Sequence, residues 1–327
     1  MGIPLHRIEP AVRERLDQLP HWDNSSVDAL RASQRSVEGP PAPVDPRVTR
    51  EDVVLRGWDG RPDVRVRWYR PVAGQGNLPC LIYLHGGGYV LGSIEANDDR
   101  LDLMAATLGC AIASVDWRLA PEHPYPAGLD DAESVWRHLS GPDQDSGIDR
   151  SRIVVGGASA GAGLAAALCL RLRDLGEVQP ILQLLIYPMI DNRHEHVSMR
   201  EYCTDDPGHP GLWHAAAQRL CWSSYLKNVP AENVPATAVP ARAESLTGLA
   251  PAFIGVGDVD PYRDEDVEYA RRLAEAGVPV ELHVYPGVIH GGLIARPYTP
   301  RTKQFLRDVH QALAGAFRPG SPHPLIE

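Results

Sequence analysis

RIVVGGASAGAGLAAALCLRLRDL, residues 152–175, is the stretch whose reading decides the fold class. It opens as a β-branched apolar run, crosses a pair of glycines, and continues as a long small-residue segment of helical composition. A strand that feeds directly into a helix across glycines is the turn of a parallel α/β unit. At the crossing stands Gly157-Ala158-Ser159-Ala160-Gly161, a G-x-S-x-G sequence. Glycines two residues either side of Ser159 let the chain turn sharply without Cβ clashes, which lifts the hydroxyl clear of the sheet. The start of the helix behind it offers unpaired N–H groups to negative charge. Taken alone, the pentapeptide reads equally well as a glycine-rich helix start packed closely on a sheet, so its surroundings must decide.

Moving outward, the same rhythm recurs on both sides. Upstream lie the apolar run LPCLIYLHGGG (78–88), the helical stretch DRLDLMAATLG (99–109), the run CAIASVDWR (110–118) and a helix near Asp130 to Leu139. Downstream come QPILQLLIYP (179–188), PAFIGVGD (251–258), a helix from Asp264 to Ala276, VPVELHVYPG (278–287) and a last helix from Thr302 to Ala316. Alternating strand and helix units with continuous apolar strands predict a mostly parallel sheet flanked by helices. VTREDVVLRG (48–57) and PDVRVRWYRP (62–71) alternate apolar and polar residues, which predicts a hairpin adding antiparallel strands at one edge.

Two regions depart from this rhythm. Residues 1–45 form an N-terminal arm with an amphipathic helical stretch from Glu9 to Leu19, set off by the Pro-rich passage GPPAPVDP (39–46). Residues 191–246, which hold Tyr202, Trp213, Trp222 and Tyr225, read as an insertion that packs over the strand ends as a helical cap, with the arm contributing to it. Residues 46–190 and 247–327 then make up the main α/β domain.

Composition removes several classes of function. The 327 residues are 43% hydrophobic and 23% charged, an ordinary globular balance. The net charge of −10, without a dense basic run, argues against nucleic acid as a partner. No apolar run approaches the ~20 residues of a membrane span, and the charged N-terminus lacks the apolar core of a signal peptide, so a cytoplasmic protein is expected. Cys80, Cys110, Cys169, Cys203 and Cys221 show no metal-ligand spacing and are expected to be buried thiols. The pair His194 and His196 lacks further spaced ligands, so no metal and no cofactor is expected.

His85-Gly86-Gly87-Gly88-Tyr89 supplies the second chemical element. Three glycines directly after a buried strand expose backbone N–H groups, which can point at a carbonyl oxygen as it becomes an oxyanion. A phosphate-binding loop is excluded because no GK[ST] follows. HGGGY, the run VDWRLAPEHPYPA (115–127) and GASAG, in that order, resemble the hormone-sensitive-lipase-like family of α/β-hydrolase fold esterases. The resemblance extends over nearly all of the chain beyond residue 45. It implies an oxyanion hole from the amides of Gly87, Gly88 and Ala160.

A serine hydroxyl is a weak nucleophile until an imidazole accepts its proton and a carboxylate orients that imidazole. Of the histidines after Ser159, His290 is best placed, in YPGVIHGG beyond an apolar strand, whereas His283 lies within the strand. His194, His209 and His214 fall in the insertion, and His310 and His323 lie further on. For the acid, DVDPYRDED offers Asp258, Asp260 and Asp264, and strand alternation does not separate the first two. The resemblance selects Asp260, the aspartate before Pro261 in a DPLRD-like stretch, with Asp258 in reserve. Two departures from the family are Ala158, where Asp or Thr is usual, and Gly291-Gly292 after His290, where Gly-Phe is usual.

The resemblance therefore implies a serine carboxylesterase acting on short to medium chain esters through an acyl-enzyme, with a homodimer as a frequent state. Tyr89 and Trp213 are candidate substrate-pocket residues. The competing readings are a small-ligand-binding protein on the same fold, and an acyltransferase or amidase with the same triad. The complete Ser159, Asp260 and His290 set weighs against the first.

Overall fold

A computed structural model describes residues 5–19, 21–37, 39, 41–74, 76–141, 146–203, 212–213, 215–293 and 297–318. Among these, the elements in chain order are α1 (Pro10–Arg13), α2 (Val27–Val37), β1 (Val48–Leu55), β2 (Val64–Pro71), β3 (Leu78–Leu84), α3 (Asp98–Leu108), β4 (Ala111–Val115) and α4 (Ala127–Ser140). They continue with β5 (Ile148–Ala158), α5 (Ala160–Asp174), β6 (Leu182–Ile186), α6 (Val197–Tyr202), α7 (Ala215–Tyr225), β7 (Ala252–Val259), α8 (Arg263–Glu275), β8 (Val280–Ile289) and α9 (Pro300–Phe317).

The strands form one eight-stranded sheet in the order β1-β2-β4-β3-β5-β6-β7-β8. The β1–β2 and β2–β4 pairings are antiparallel, and every pairing from β4 through β8 is parallel. This is the expected parallel sheet with a hairpin at one edge. Strand residues alternate between two cores, as a side-chain period of two requires. Leu81, Tyr83, Ile112, Val154 and Leu184 pack with residues of α3 and α9, while Ile82, Leu84, Ala113, Val155 and Leu185 pack with α4 and α5. Helices on both faces explain why these strands are continuous apolar runs.

Small residues set the spacing beneath α5. A Cβ on Gly157 or Gly161 would collide with the Leu84 carbonyl oxygen, so these glycines let the start of α5 lie directly against the end of β3. The charged hairpin is held by an ion-pair network as well as by its buried apolar side chains, among them Val48, Leu55, Val66 and Tyr69. Arg50 reaches Asp98 at 2.9 Å and Asp102 at 2.6 Å, both buried on α3.

The arm departs from the expected single helix over Glu9–Leu19. Ile8, Val12 and Leu16 are buried, as the apolar stripe implies, but the helix stops at Arg13 and resumes as a 3-10 turn at Leu16–Gln18. Arg15 breaks it, with φ −120° and ψ 12°, and its side chain donates to the Ala11 carbonyl at 2.8 Å. A second helix, α2, escapes the periodicity reading because its sequence is largely polar, Val27 and Leu30 being its buried apolar residues. All five cysteines are buried. Among the described residues no helix is long and apolar enough to cross a membrane.

Candidate active site

The site is built at the C-terminal ends of β3, β5, β7 and β8. β5 ends at Ala158, and Ser159 takes φ 55° and ψ −122°, a conformation an L-residue seldom adopts. Hydrogen bonds at both ends hold it there. Its N–H donates to Ile186 O at 2.9 Å, and its carbonyl accepts from Gly163 N at 3.0 Å and Met189 N at 3.1 Å. The hydroxyl therefore stands at the N-terminus of α5, where the helix dipole favours negative charge.

His290 arrives on the loop that closes β8. Its Nε2 lies 3.0 Å from Ser159 Oγ, and its Nδ1 lies 2.8 Å from Asp260 Oδ2. Asp260 is fully buried, and its other oxygen accepts the Tyr262 N–H at 2.9 Å. Proximity of serine, imidazole and carboxylate across 131 and 30 residues of sequence is what proton relay from a hydroxyl needs. Asp258 is engaged elsewhere: it accepts from Gly287 N at 2.5 Å and pairs with Arg7 at 3.2 Å. A register shift in the β7–β8 pairing between Gly257 and Val259 ends the alternation that left the two aspartates equivalent in sequence.

On the opposite side, β3 delivers the glycine loop. Gly87 and Gly88 have φ of 130° and 59°, and the Gly87 carbonyl accepts from Val90 N at 3.1 Å and Leu91 N at 2.8 Å, which curls the loop. The amides of Gly87 and Gly88 donate to no protein acceptor among the described residues. Ala160 N–H, in the first turn of α5, has no carbonyl one turn back to bond. His85 orients the loop from below. It is buried, stacks on Trp117 with ring centres 4.9 Å apart, and places Nδ1 2.9 Å from Gly86 O. Burial pushes its imidazole below the ordinary histidine pKa.

Tyr89 is 1% exposed; its hydroxyl donates to Met189 O at 2.8 Å and its ring stacks on Tyr225 at 3.9 Å. The structure thus places it as packing beneath the insertion rather than at an open pocket surface. Trp213 is half-buried, with its ring centre 6.3 Å from that of His290. Two tyrosines that motif reading passed over also flank His290 edge-on, Tyr187 at 4.9 Å and Tyr262 at 4.7 Å. A φ of 37° at Tyr187, an aromatic residue just past β6, is a structural mark that no sequence pattern carries.

Residues of the 1–45 and 191–246 segments both reach this end of the sheet. Ile8, Val12 and Leu16 pack with Tyr202, Leu212, Val259 and Ile289. Glu9 N donates to Gly287 O at 3.0 Å, and Thr299 at the start of α9 donates to the Glu9 carboxylate. Under the insertion, Glu265 of α8 accepts from Ile190 N at 3.0 Å and Asp191 N at 3.1 Å, and its burial raises its pKa well above the ordinary value. His196 lies 3.5 Å from Asp191. His209, His214 and His323 lie outside the described residues. Trp117 and Arg118 serve the scaffold, Arg118 bonding the buried Asp131 through both Nε and Nη2.

The chain and its fold have known counterparts. Residues 81–294 match the model of a family described as having the alpha/beta hydrolase fold. The chain is 36% identical over 286 residues to Esterase LipI of Mycobacterium tuberculosis (strain ATCC 25618 / H37Rv), covering 87% of each chain. It is likewise 36% identical over 242 residues to the ethyl acetate hydrolase of Pseudomonas putida, covering 73% of this chain and 74% of the other. Among solved structures, a bacterial heroin esterase superposes with a TM-score of 0.89 at 36% identity, over 96% of this chain and 99% of that one.

Proposed function

We propose a residue-level mechanism for a chain that belongs to the hormone-sensitive-lipase-like family of α/β-hydrolase fold esterases and is a serine carboxylic ester hydrolase. Ser159 Oγ attacks the ester carbonyl carbon while His290 Nε2 accepts its proton. Asp260 holds the opposite N–H of the imidazole, fixing the tautomer and stabilising the imidazolium. The carbonyl oxygen becomes an oxyanion facing the amides of Gly87, Gly88 and Ala160. Collapse expels the alcohol, protonated by His290, and leaves an acyl group on Ser159. Water then attacks the acyl carbon, with His290 again taking the proton, and releases the acid.

The observation that carries this reading is the pair of contacts at His290, 3.0 Å to Ser159 Oγ and 2.8 Å to Asp260 Oδ2. The strained Ser159 backbone supports it, since such strain persists where a fold over-determines it for use. We assign short to medium acyl esters as substrates, which similarity to an ethyl acetate hydrolase supports. The arm and the 191–246 insertion act as a cap, supported by their joint packing on the ends of β7 and β8.

The test is turnover of p-nitrophenyl esters from acetate to octanoate by wild type and Ser159→Ala. The variant should lose at least about 10⁴-fold in kcat, the scale for removing a triad nucleophile. A phosphonate inhibitor should add covalently to wild type and not to the variant. Undiminished turnover by Ser159→Ala overturns the assignment.

A further inference from the structure

We propose that Tyr262 and Gln218 form a latch that fixes the Trp213 indole as a wall on the alcohol side of the scissile ester. These three side chains then set the size of the leaving alcohol; the inference rests on the triad assignment above. Tyr262 is fully buried two residues beyond Asp260, and its hydroxyl donates to Gln218 Oε1 at 2.5 Å. Trp213 Nε1–H donates to the Tyr262 oxygen at 3.0 Å and reaches Gln218 Oε1 at 3.3 Å. An indole N–H can only donate, so Gln218 must present its oxygen to this cluster. The three polar ends thus close on one another. Swinging the indole outward would leave the Tyr262 oxygen without its donor in a buried setting, which is unfavourable.

The latch is anchored at both ends. Gln218 lies on α7 and is 1% exposed. One turn further along the same helix, Cys221 packs against Gly88, while Trp222 and Tyr225 lie against the Tyr89 ring at 5.2 Å and 3.9 Å. These residues share one face by their i, i+3, i+4 and i+7 spacing. At the other end, Tyr262 is tied to the catalytic acid through its own N–H. Neither support can shift without disturbing the oxyanion loop or Asp260.

Position then identifies what the wall meets. The outer edge of the Trp213 ring lies against Gly88, and the ring centre is 6.3 Å from that of His290. In the tetrahedral adduct on Ser159, the oxyanion faces Gly88 and the leaving oxygen must lie within reach of His290 Nε2. A ring spanning those two groups confronts whatever is attached to the leaving oxygen. The acyl substituent departs on the other side of the carbon.

The experiment measures kcat/KM for acetates of ethanol, 1-butanol, cyclohexanol and benzyl alcohol, and for ethyl esters of acetic, butanoic, hexanoic and pivalic acids. Wild type, Trp213→Ala, Tyr262→Phe and the double variant are compared. Trp213→Ala should raise the cyclohexyl-to-ethyl acetate ratio about tenfold, the lower range for a pocket change of this kind. Tyr262→Phe should give most of that gain, the double variant no more than Trp213→Ala alone, and the acyl series should keep its wild-type ratios. An equal fall for every ester in Tyr262→Phe, or a shift confined to the acyl series, overturns the latch. Should Tyr262→Phe not fold, Gln218→Met removes the other acceptor of the Trp213 N–H and the acceptor of the Tyr262 hydroxyl, and is judged by the same ratio. Flat alcohol ratios with turnover still dependent on Ser159 sink the latch alone, whereas turnover independent of Ser159 sinks the triad beneath it.

Discussion

Gly161→Ala should destabilise this protein, although alanine is the better helix former. In an unconstrained helix the exchange stabilises by about 0.5–1 kcal/mol. At position 161, however, the new methyl would lie well inside 3.0 Å of the carbonyl oxygens of both Leu84 and His85. Both are backbone atoms, at the end of β3 and the start of the glycine loop, so no side chain can rotate away. Relief requires roughly 1 Å of backbone movement, and misplacement on that scale costs on the order of 100-fold in rate. Overpacking of this sort typically costs about 1–3 kcal/mol, enough to outweigh the propensity gain. Gly315, near the end of α9, is the internal control, because a methyl there meets nothing within 4 Å. Urea unfolding should therefore show Gly315→Ala more stable than wild type and Gly161→Ala less stable. Ester hydrolysis should fall about 100-fold in the second variant and stay unchanged in the first. If Gly161→Ala matches or exceeds the wild-type unfolding midpoint, the close seating of α5 on the β3 end is wrong.

The two aspartates after β7 should separate cleanly. Asp260→Asn should lower kcat by about 10⁴-fold by presenting the wrong partner to His290. Asp258→Ala, by contrast, should cost about 1–3 kcal/mol of stability through its lost bond to Gly287 and pairing with Arg7; steady-state kinetics beside denaturant titration checks both. Asp266 on α8 is fully buried with neither carboxylate oxygen hydrogen-bonded among the described residues, and burial raises its pKa well above 3.8. A raised folded-state pKa contributes stability that is present below the unfolded value and lost as pH climbs through the folded one. Asp266→Asn removes that loss, so the variant's stability advantage over wild type should grow from pH 5 to pH 9 in thermal unfolding. An advantage that stays flat over that range would show the carboxyl to be ionised in the folded protein already at pH 5.

How much was legible in the sequence depended on how local the signal was. G-x-S-x-G and HGGG each encode a backbone turn within five residues, and the alternation of strand and helix units placed both at strand ends. The choice between Asp258 and Asp260 was not local. It is made by the register shift beside Gly257, where the chain turns one carboxylate to Gly287 and the other to His290. Tyr262 carries no periodic mark, and Gln218 only its place on the buried face of α7; their significance arises where α7 meets the loop after β7. The arm misled for a related reason: its apolar stripe was real, but tertiary packing of Ile8, Val12 and Leu16 did not require one continuous helix.

The pairing of Arg7 with Asp258 joins residues 251 positions apart. At about 5–20 residues per second, a ribosome needs roughly 13–50 s to traverse that interval. Until β7 and β8 are made, the apolar side of the arm lacks Val259 and Ile289, two of the residues on which it docks. It must remain only partly covered until the strands bearing the acid and the base have emerged. Completion of the reaction centre and shelter of the arm are thus one late event in the birth of the molecule.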